Sequence, residues 1–397
     1  MKRKTLWTAV CLLSVAVACV KQNNPDNGEG QSPSNLSAKG LANCYVVRET
    51  GEYRFDATTR GCGAKTPELS DTPVTILPTK AGLIWQTKEG MIGDVKYEDG
   101  VIIFTLNSIG GNALIAASND EGTVLWSWHI WSPEEDITTV KGKNGVEIMN
   151  MNLGAMTSSQ GEEPSTKPYG MLYQWGRKDP FPSSSTLIGD INTTGAPLYD
   201  AEGNTVAIHN SSWTDLACNT VDYAIAFPTI CLSNYAHYAN SRDWLAVGND
   251  NLWSESKTIF DPCPAGYRVP SSDAFKYFTS SGGYSTDPGT FDVADIDGDG
   301  VINGSDYNYG WHFNMAEGSL YFPAAARYDG SYAMLMGSKS GLWGSYWSCN
   351  PASSEQAQYT GTAAVTLTFM KEGGNMAVSP SATASKADAY SVRCVKD

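Results

Sequence analysis

Ten residues, Asp261-Pro-Cys-Pro-Ala-Gly-Tyr-Arg-Val-Pro270, restrict the folds open to this chain more than any other stretch. Prolines on either side of Cys263 and a third at Pro270 fix the local backbone, remove amide donors and hold the preceding residues extended. No helix passes through such a segment. It is a rigid corner that carries a thiol.

Short apolar runs separated by Gly, Asn and Asp surround that corner and predict a mainly β protein with minor α. In the first part, strands are expected at Cys44–Val47, Glu52–Asp56, Gly82–Gln86, Val101–Leu106, Ala113–Ala117 and Val124–Trp131. Asp99-Gly100 and Glu121-Gly122 supply hairpin turns. The expected result is an immunoglobulin-like β-sandwich over residues 43–144. Alternation in Leu125-Trp-Ser-Trp-His-Ile-Trp131 puts Trp126, Trp128 and Ile130 on one face, with His129 and Trp131 on the other. That pattern reads as a buried strand, and His129 as a structural histidine.

Residues 145–397 have long polar loops between aromatic segments and form the second expected domain, α+β with long loops. Strands are expected at Val146–Leu153, Tyr169–Trp175, Leu320–Phe322, Tyr346–Ser348, Ala363–Phe369 and Ala389–Val395. A helix is expected over Ser271–Phe278, capped by Ser271 or Ser272 after Pro270. The Ser-, Thr- and Asn-rich stretch 183–215 reads as a surface insertion.

Lys2, Arg3 and Lys4 precede an apolar run from Leu6 to Ala18, which predicts an export signal over residues 1–18, too short to remain as a membrane span. The run ends Ala16-Val-Ala-Cys19, the pattern of a lipobox in which Cys19 is acylated and anchors the chain to a membrane. Residues 19–42 read as a flexible tether. Removing the leader takes three of 27 basic residues, leaving 24 − 42 = −18. A surface of that sign repels nucleic acid and favours cations. Export also permits disulfides. Setting Cys11 and Cys19 aside, an economical pairing is Cys44 with Cys62, Cys218 with Cys231 and Cys263 with Cys394, leaving Cys349 over, although spacing leaves the connectivity open.

The strongest chemical pattern is Asp295-Ile-Asp-Gly-Asp-Gly-Val-Ile-Asn-Gly-Ser-Asp306. Asp295, Asp297, Asp299, Asn303 and Asp306 occupy the oxygen-ligand positions of a twelve-residue Ca²⁺ loop, Val301 offers the backbone carbonyl, and Gly300 permits the sharp turn. Asp rather than Glu at the last position resembles the dockerin form of the loop. Amphipathic helices do not flank it, so the loop is expected inside a β-rich domain, where calcium orders it. No serine elbow, HExxH helix or phosphate loop accompanies the four histidines, and the chain is not read as an enzyme.

Six segments, in order, resemble the Fibrobacter succinogenes major paralogous domain of Bacteroidota surface lipoproteins. They are Met149-Asn-Met-Asn-Leu-Gly-Ala155, Gly170-Met-Leu-Tyr-Gln-Trp-Gly-Arg-Lys-Asp-Pro-Phe-Pro182, the 261–270 corner, Tyr321-Phe-Pro-Ala-Ala-Ala-Arg327, Gly344-Ser-Tyr-Trp-Ser348 and Ser391-Val-Arg-Cys394. The resemblance implies a C-type-lectin-like fold with closely placed ends, related to formylglycine-generating enzymes, and a Cys263–Cys394 disulfide. It supplies no catalytic residues. Cys349 departs from it, standing where the family has serines. The first part resembles the region preceding this domain in fimbrillin-like proteins.

The resulting expectation is an outer-membrane, cell-surface lipoprotein that binds calcium and takes a glycan or a surface protein as ligand. Tyr307, Tyr309, Trp311 and Trp343 are the candidate contact residues. A structural or tip subunit of a fimbria is the alternative, and a polysaccharide-degrading enzyme a more distant one.

Overall fold

The computed structural model describes residues 32–211, 218–233, 243–353 and 362–397. The leader, Cys19 and most of the tether lie outside them.

Eight strands make the first part: β1 (Ser34–Asn35), β2 (Cys44–Val46), β3 (Gly51–Asp56), β4 (Lys80–Gln86), β5 (Ile92–Glu98), β6 (Val101–Leu106), β7 (Gly111–Ser118) and β8 (Val124–Ser132). They form two four-stranded sheets, ordered β1-β3-β6-β5 and β2-β8-β7-β4. The first stretch of the chain contributes β1 to one sheet and β2 to the other, and β1 pairs parallel with β3. The two inner faces meet at Phe55 and Trp128, whose rings lie 5.3 Å apart. All six expected strands are present. β5 was not expected, because a register shift between Gly93 and Lys96 breaks its alternation where Asp94 adopts a φ of 47°.

The tether ends earlier than expected. From Pro33 the chain belongs to the compact unit 33–397. Ser34 and Asn35 pair with Tyr53 and Arg54, and the Asn35 side chain accepts from the Ser37 amide to cap a short 3-10 turn over Leu36–Lys39.

Residue 144 does not divide two cores either. One hydrophobic cluster contains Phe55, Trp85 and Trp128 together with Trp175, Trp253, Trp347 and Val392. The reason lies in β8, which is buried on both faces: Trp126, Ser127, Trp128, His129, Ile130 and Trp131 are each at most 1% exposed. Trp128 fills the sandwich. On the other face Ser127 bonds Asp179 and His129 bonds Tyr173, so residues 171–182 cover what would be the solvent side of an isolated sandwich.

In the second part, the main sheet runs Phe181–Pro182, Met171–Gln174, Ala389–Ser391, Trp343–Pro351, Ala363–Glu372 and Asn375–Ser385. A four-stranded sheet of Tyr267–Arg268, Val395–Lys396, Glu147–Met149 and Thr139–Lys141 brings the two ends of this part together, with Ile148 opposite Val395. The expected helix at Ser271 is a 3-10 helix over Ser272–Phe278 without a side-chain cap, burying Phe275 and Phe278. A six-residue α-helix, Val221–Ala226, was not expected. The expected strand at Val146–Leu153 shortens to Glu147–Met149; beyond it the Asn152 side-chain amide donates to Tyr169 O and Tyr346 Oη.

Cys263 and Cys394 form a disulfide across 131 residues. The other pairings do not occur: Cys44, Cys62, Cys231 and Cys349 remain thiols. Burial pushes the Cys44 thiol well up and Cys349 up to about 12, so both are inert at neutral pH.

Candidate functional site

Arg393 gathers the segments singled out in the second part. Its fully buried guanidinium donates to Asn152 Oδ1 (2.9 Å), Met149 O (3.3 Å) and Tyr321 O (2.8 Å), and lies 4.3 Å from the centre of the Phe322 ring. Tyr346 donates to Pro323 O, Trp347 to Tyr173 O, and Trp175 to Ser348 O. Gly344 is required there, since a Cβ at that position would sit 2.1 Å from the Phe369 ring. Five sequence-distant segments thus form one buried hub, which is scaffold and not a ligand site.

The acidic loop is built from short-range turns. Asp295 accepts from the amides of Gly298 and Gly300, Asp297 from Asp299, and Asp299 from Val301. Gly300 sits at a φ of 84°, left-handed geometry that glycine adopts freely. Carboxylate oxygens of Asp295, Asp297 and Asp299 lie within 4.8 Å of one another, and all three residues are exposed. The Ser305 hydroxyl bonds Asp297 and holds its carboxyl below the usual range. Asp306 is buried, and its two oxygens take the amides of Ile296 and Asn303, bracketing the loop. The Val301 carbonyl accepts from the Asn303 side chain. This all-oxygen donor set fits a hard divalent cation through Asp295, Asp297 and Asp299, with Val301 and Asn303 alongside.

The four expected contact aromatics do not form a platform. Trp311 is fully buried among Phe291, Phe313 and Phe322. Tyr307 packs edge-on against Trp311 and Phe369, its phenol pushed far up by burial. Tyr309 is half-buried with a φ of 54°. Trp343 is also half-buried; Arg327 and Lys339 lie 5.5 and 5.0 Å from its ring centre, and its indole N–H bonds Glu372.

A large open recess lies elsewhere. A groove of about 570 Å³ runs between residues 191–198 and 205–210, with Tyr328 and Ala333–Leu335 completing it. Its lining contains Thr193, Thr194, Thr205, His209, Asn210 and Tyr328 but no Asp, Glu, Lys or Arg. On a chain of net charge −15 that neutrality is distinctive. Ile191 and Met334 stand exposed beside it, at 90% and 57%. The acidic loop contributes nothing to the groove. The insertion was expected but not the groove, whose walls are joined by the isolated bridges Ser184–Gly195 and Tyr199–Thr205, by the Val206 amide on Leu198 O and by the bond from Tyr328 Oη to Pro182 O. A second groove, of about 500 Å³, lies along β1 and β2 and is lined by Leu36, Tyr45, Val46, Tyr53, Ile137 and Tyr267 among others.

Two buried lysines complete the inventory. Lys178 donates to Ser127 Oγ and Asp179 Oδ1 beside the Trp126 ring, and burial lowers its amine to about 8. This cluster is sealed beneath Val221–Ala226, and the adjoining void holds only about 10 Å³, too little for a substrate. Lys386 lies against Trp175 and two aspartates. No helix among the described residues is long and apolar enough to cross a membrane.

Compared with protein-family models, curated proteins and solved structures, the chain matches none.

Proposed function

We propose that this chain is a lipid-anchored cell-surface binding module, held in the outer membrane through Cys19, whose ligand is an uncharged glycan taken up by the groove between residues 191–198 and 205–210. The observation that carries the reading is a solvent-open recess of about 570 Å³ lined without any Asp, Glu, Lys or Arg on a strongly acidic protein. Threonine hydroxyls, Asn210 and His209 offer donors and acceptors to sugar hydroxyls, while Ile191 and Met334 offer apolar contact. A charged ligand would find no counter-ion there. Calcium in this reading orders the Asp295–Asp306 loop and touches no ligand.

Glycan-array binding by residues 20–397, with millimolar calcium and with chelator, tests it. Starting at residue 20 keeps β1 and the Asn35-capped turn, which a start at residue 40 would remove. Thr205→Arg, at an exposed wall position, places a charge in the groove and is expected to weaken binding at least tenfold. Chelator should lower stability and leave glycan binding in place. An array without binders, or Thr205→Arg binding like wild type, refutes the groove assignment.

A fimbrial subunit is the second reading, favoured by the groove along β1 and β2. That recess lies beside short edge strands, and apolar side chains such as Leu36, Val46 and Ile137 line it together with Lys39, Arg48 and Glu49, a setting in which a donated strand could pair. Concentration-dependent polymerisation of the purified protein would support it over the first.

A further inference from the structure

Lys386 meets two aspartates of a distant loop, Asp243 and Asp250, beside Trp175. Lys386, in the turn that follows strand Asn375–Ser385, has a fully buried ammonium 4.5 Å from the centre of the Trp175 ring. The Trp175 amide donates to the Lys386 carbonyl, which pins the backbone on that side. Asp250 Oδ1 contacts Lys386 Nζ directly across 136 residues. Asp243 Oδ2 lies 3.8 Å from the same nitrogen, and its side chain is 2% exposed. Its other oxygen accepts from the Leu245 amide, which orients the carboxyl group. Trp244 and Trp253 on the same loop are buried and anchor it on either side of Asp250.

We propose that Lys386 and Asp250 condense to a side-chain isopeptide bond, with Asp243 as the carboxylate that transfers the protons. The lysine nitrogen, as the free amine, attacks Cγ of the protonated Asp250 carboxyl. Asp243 takes the proton released from nitrogen and passes it to the departing hydroxyl. One C–N bond forms, one C–O bond breaks, one water leaves, and Asp243 returns to its starting form. No oxidant or cofactor is needed.

Three features favour the step. Direct contact makes the reaction intramolecular, where effective molarities reach about 10⁵–10⁸ M and offset the preference of free amines and acids for the separated state in water. Burial raises the Asp243 carboxyl to about 6, making it a stronger base than an ordinary aspartate. Lys386 is fully enclosed while the Asp250 side chain is 46% exposed, so the released water has an exit and the nucleophile stays shielded. An ordinary ion pair would require only one carboxylate; the second, buried one is what general acid–base transfer adds.

The test is peptide mapping of the full-length protein after reduction and trypsin digestion. Cleavage is blocked at an acylated lysine, so the bond predicts a joined species of peptide 243–257 and peptide 372–393, about 18 Da below the sum of the two. Neither peptide contains cysteine, so the Cys263–Cys394 disulfide cannot join them. Asp243→Asn retains the shape but not the proton transfer and should reduce the joined fraction in freshly made protein at least tenfold, since general acid–base catalysis contributes roughly 10²-fold or more. Recovery of peptide 243–257 and a fully cleaved Lys386 at unmodified mass from wild type leaves an ion pair only and overturns the proposal. That result stands whether or not any variant folds. Equal joining in wild type and Asp243→Asn overturns the role given to Asp243.

Discussion

Replacing Arg393 by methionine tests the hub directly. The guanidinium makes three bonds, to Asn152, Met149 and Tyr321, and has no carboxylate partner among its hydrogen bonds. Bonds from a charged donor contribute roughly 2 kcal/mol each, a gross loss of about 6 kcal/mol. Against this stands the cost of burying the charge. Burial brings the guanidinium down to about 10 from its usual value above 12, and removing that penalty returns roughly 3 kcal/mol. Arg393→Met is therefore expected to destabilise by about 3 kcal/mol, and Arg393→Ala by about 5 because it also leaves a cavity. Urea unfolding followed by the emission of the buried tryptophans measures both. With an m-value near 3 kcal/mol/M or above, expected for a unit of this size, the methionine midpoint falls by up to about 1 M. A midpoint for Arg393→Met equal to wild type would refute the reasoning, because the three acceptors would then lose nothing with their donor.

His129 makes stability depend on acid. Burial lowers its imidazole to about 3, so the unfolded chain protonates first, and the contribution of neutral His129 is complete above pH 6.5 and lost as pH falls toward 3. Between pH 6.5 and 4 the loss is roughly 3 kcal/mol; the difference between wild-type and His129→Gln denaturation curves should carry it, and parallel curves would count against it. Replacing Cys263 and Cys394 by serine opens a 131-residue loop and should cost about 5 kcal/mol by the chain-entropy relation, read as a lower melting temperature. Calcium at a hundred times its dissociation constant should raise stability by about 2.7 kcal/mol in wild type and not in Asp299→Ala; an unchanged melting temperature in wild type removes the calcium assignment. Trp311→Ala should cost about 4 kcal/mol, against about 1 kcal/mol for half-buried Trp343→Ala, and equal costs would contradict their different burial.

What the sequence determined by itself is the local structure. The strands of the first part, the corner at Asp261–Pro270 and the turns of the acidic loop depend on interactions within a few residues: ring closure at proline, alternation along a strand, and aspartates bonding amides two to five positions on. β5 escaped because a bulge at Asp94 interrupts the alternation that marks a strand. The motif resemblance pointed to the Cys263–Cys394 bridge, which composition and spacing could not select.

Tertiary structure alone decided which surfaces exist. β8 alternates as a buried strand does, but only the fold supplies what covers its second face: residues 171–182, which carry a shared hydrophobic cluster from the first part into the second. Trp311 and Trp343 look alike as letters; one fills a phenylalanine cluster and the other is half-exposed between two cations. The groove at 191–210 and the meeting of Lys386 with Asp250 arise from segments brought together over long sequence separations. Such contacts follow from how whole sheets pack. Their partners carry no shared periodicity or spacing, so no local pattern in the chain could have announced them.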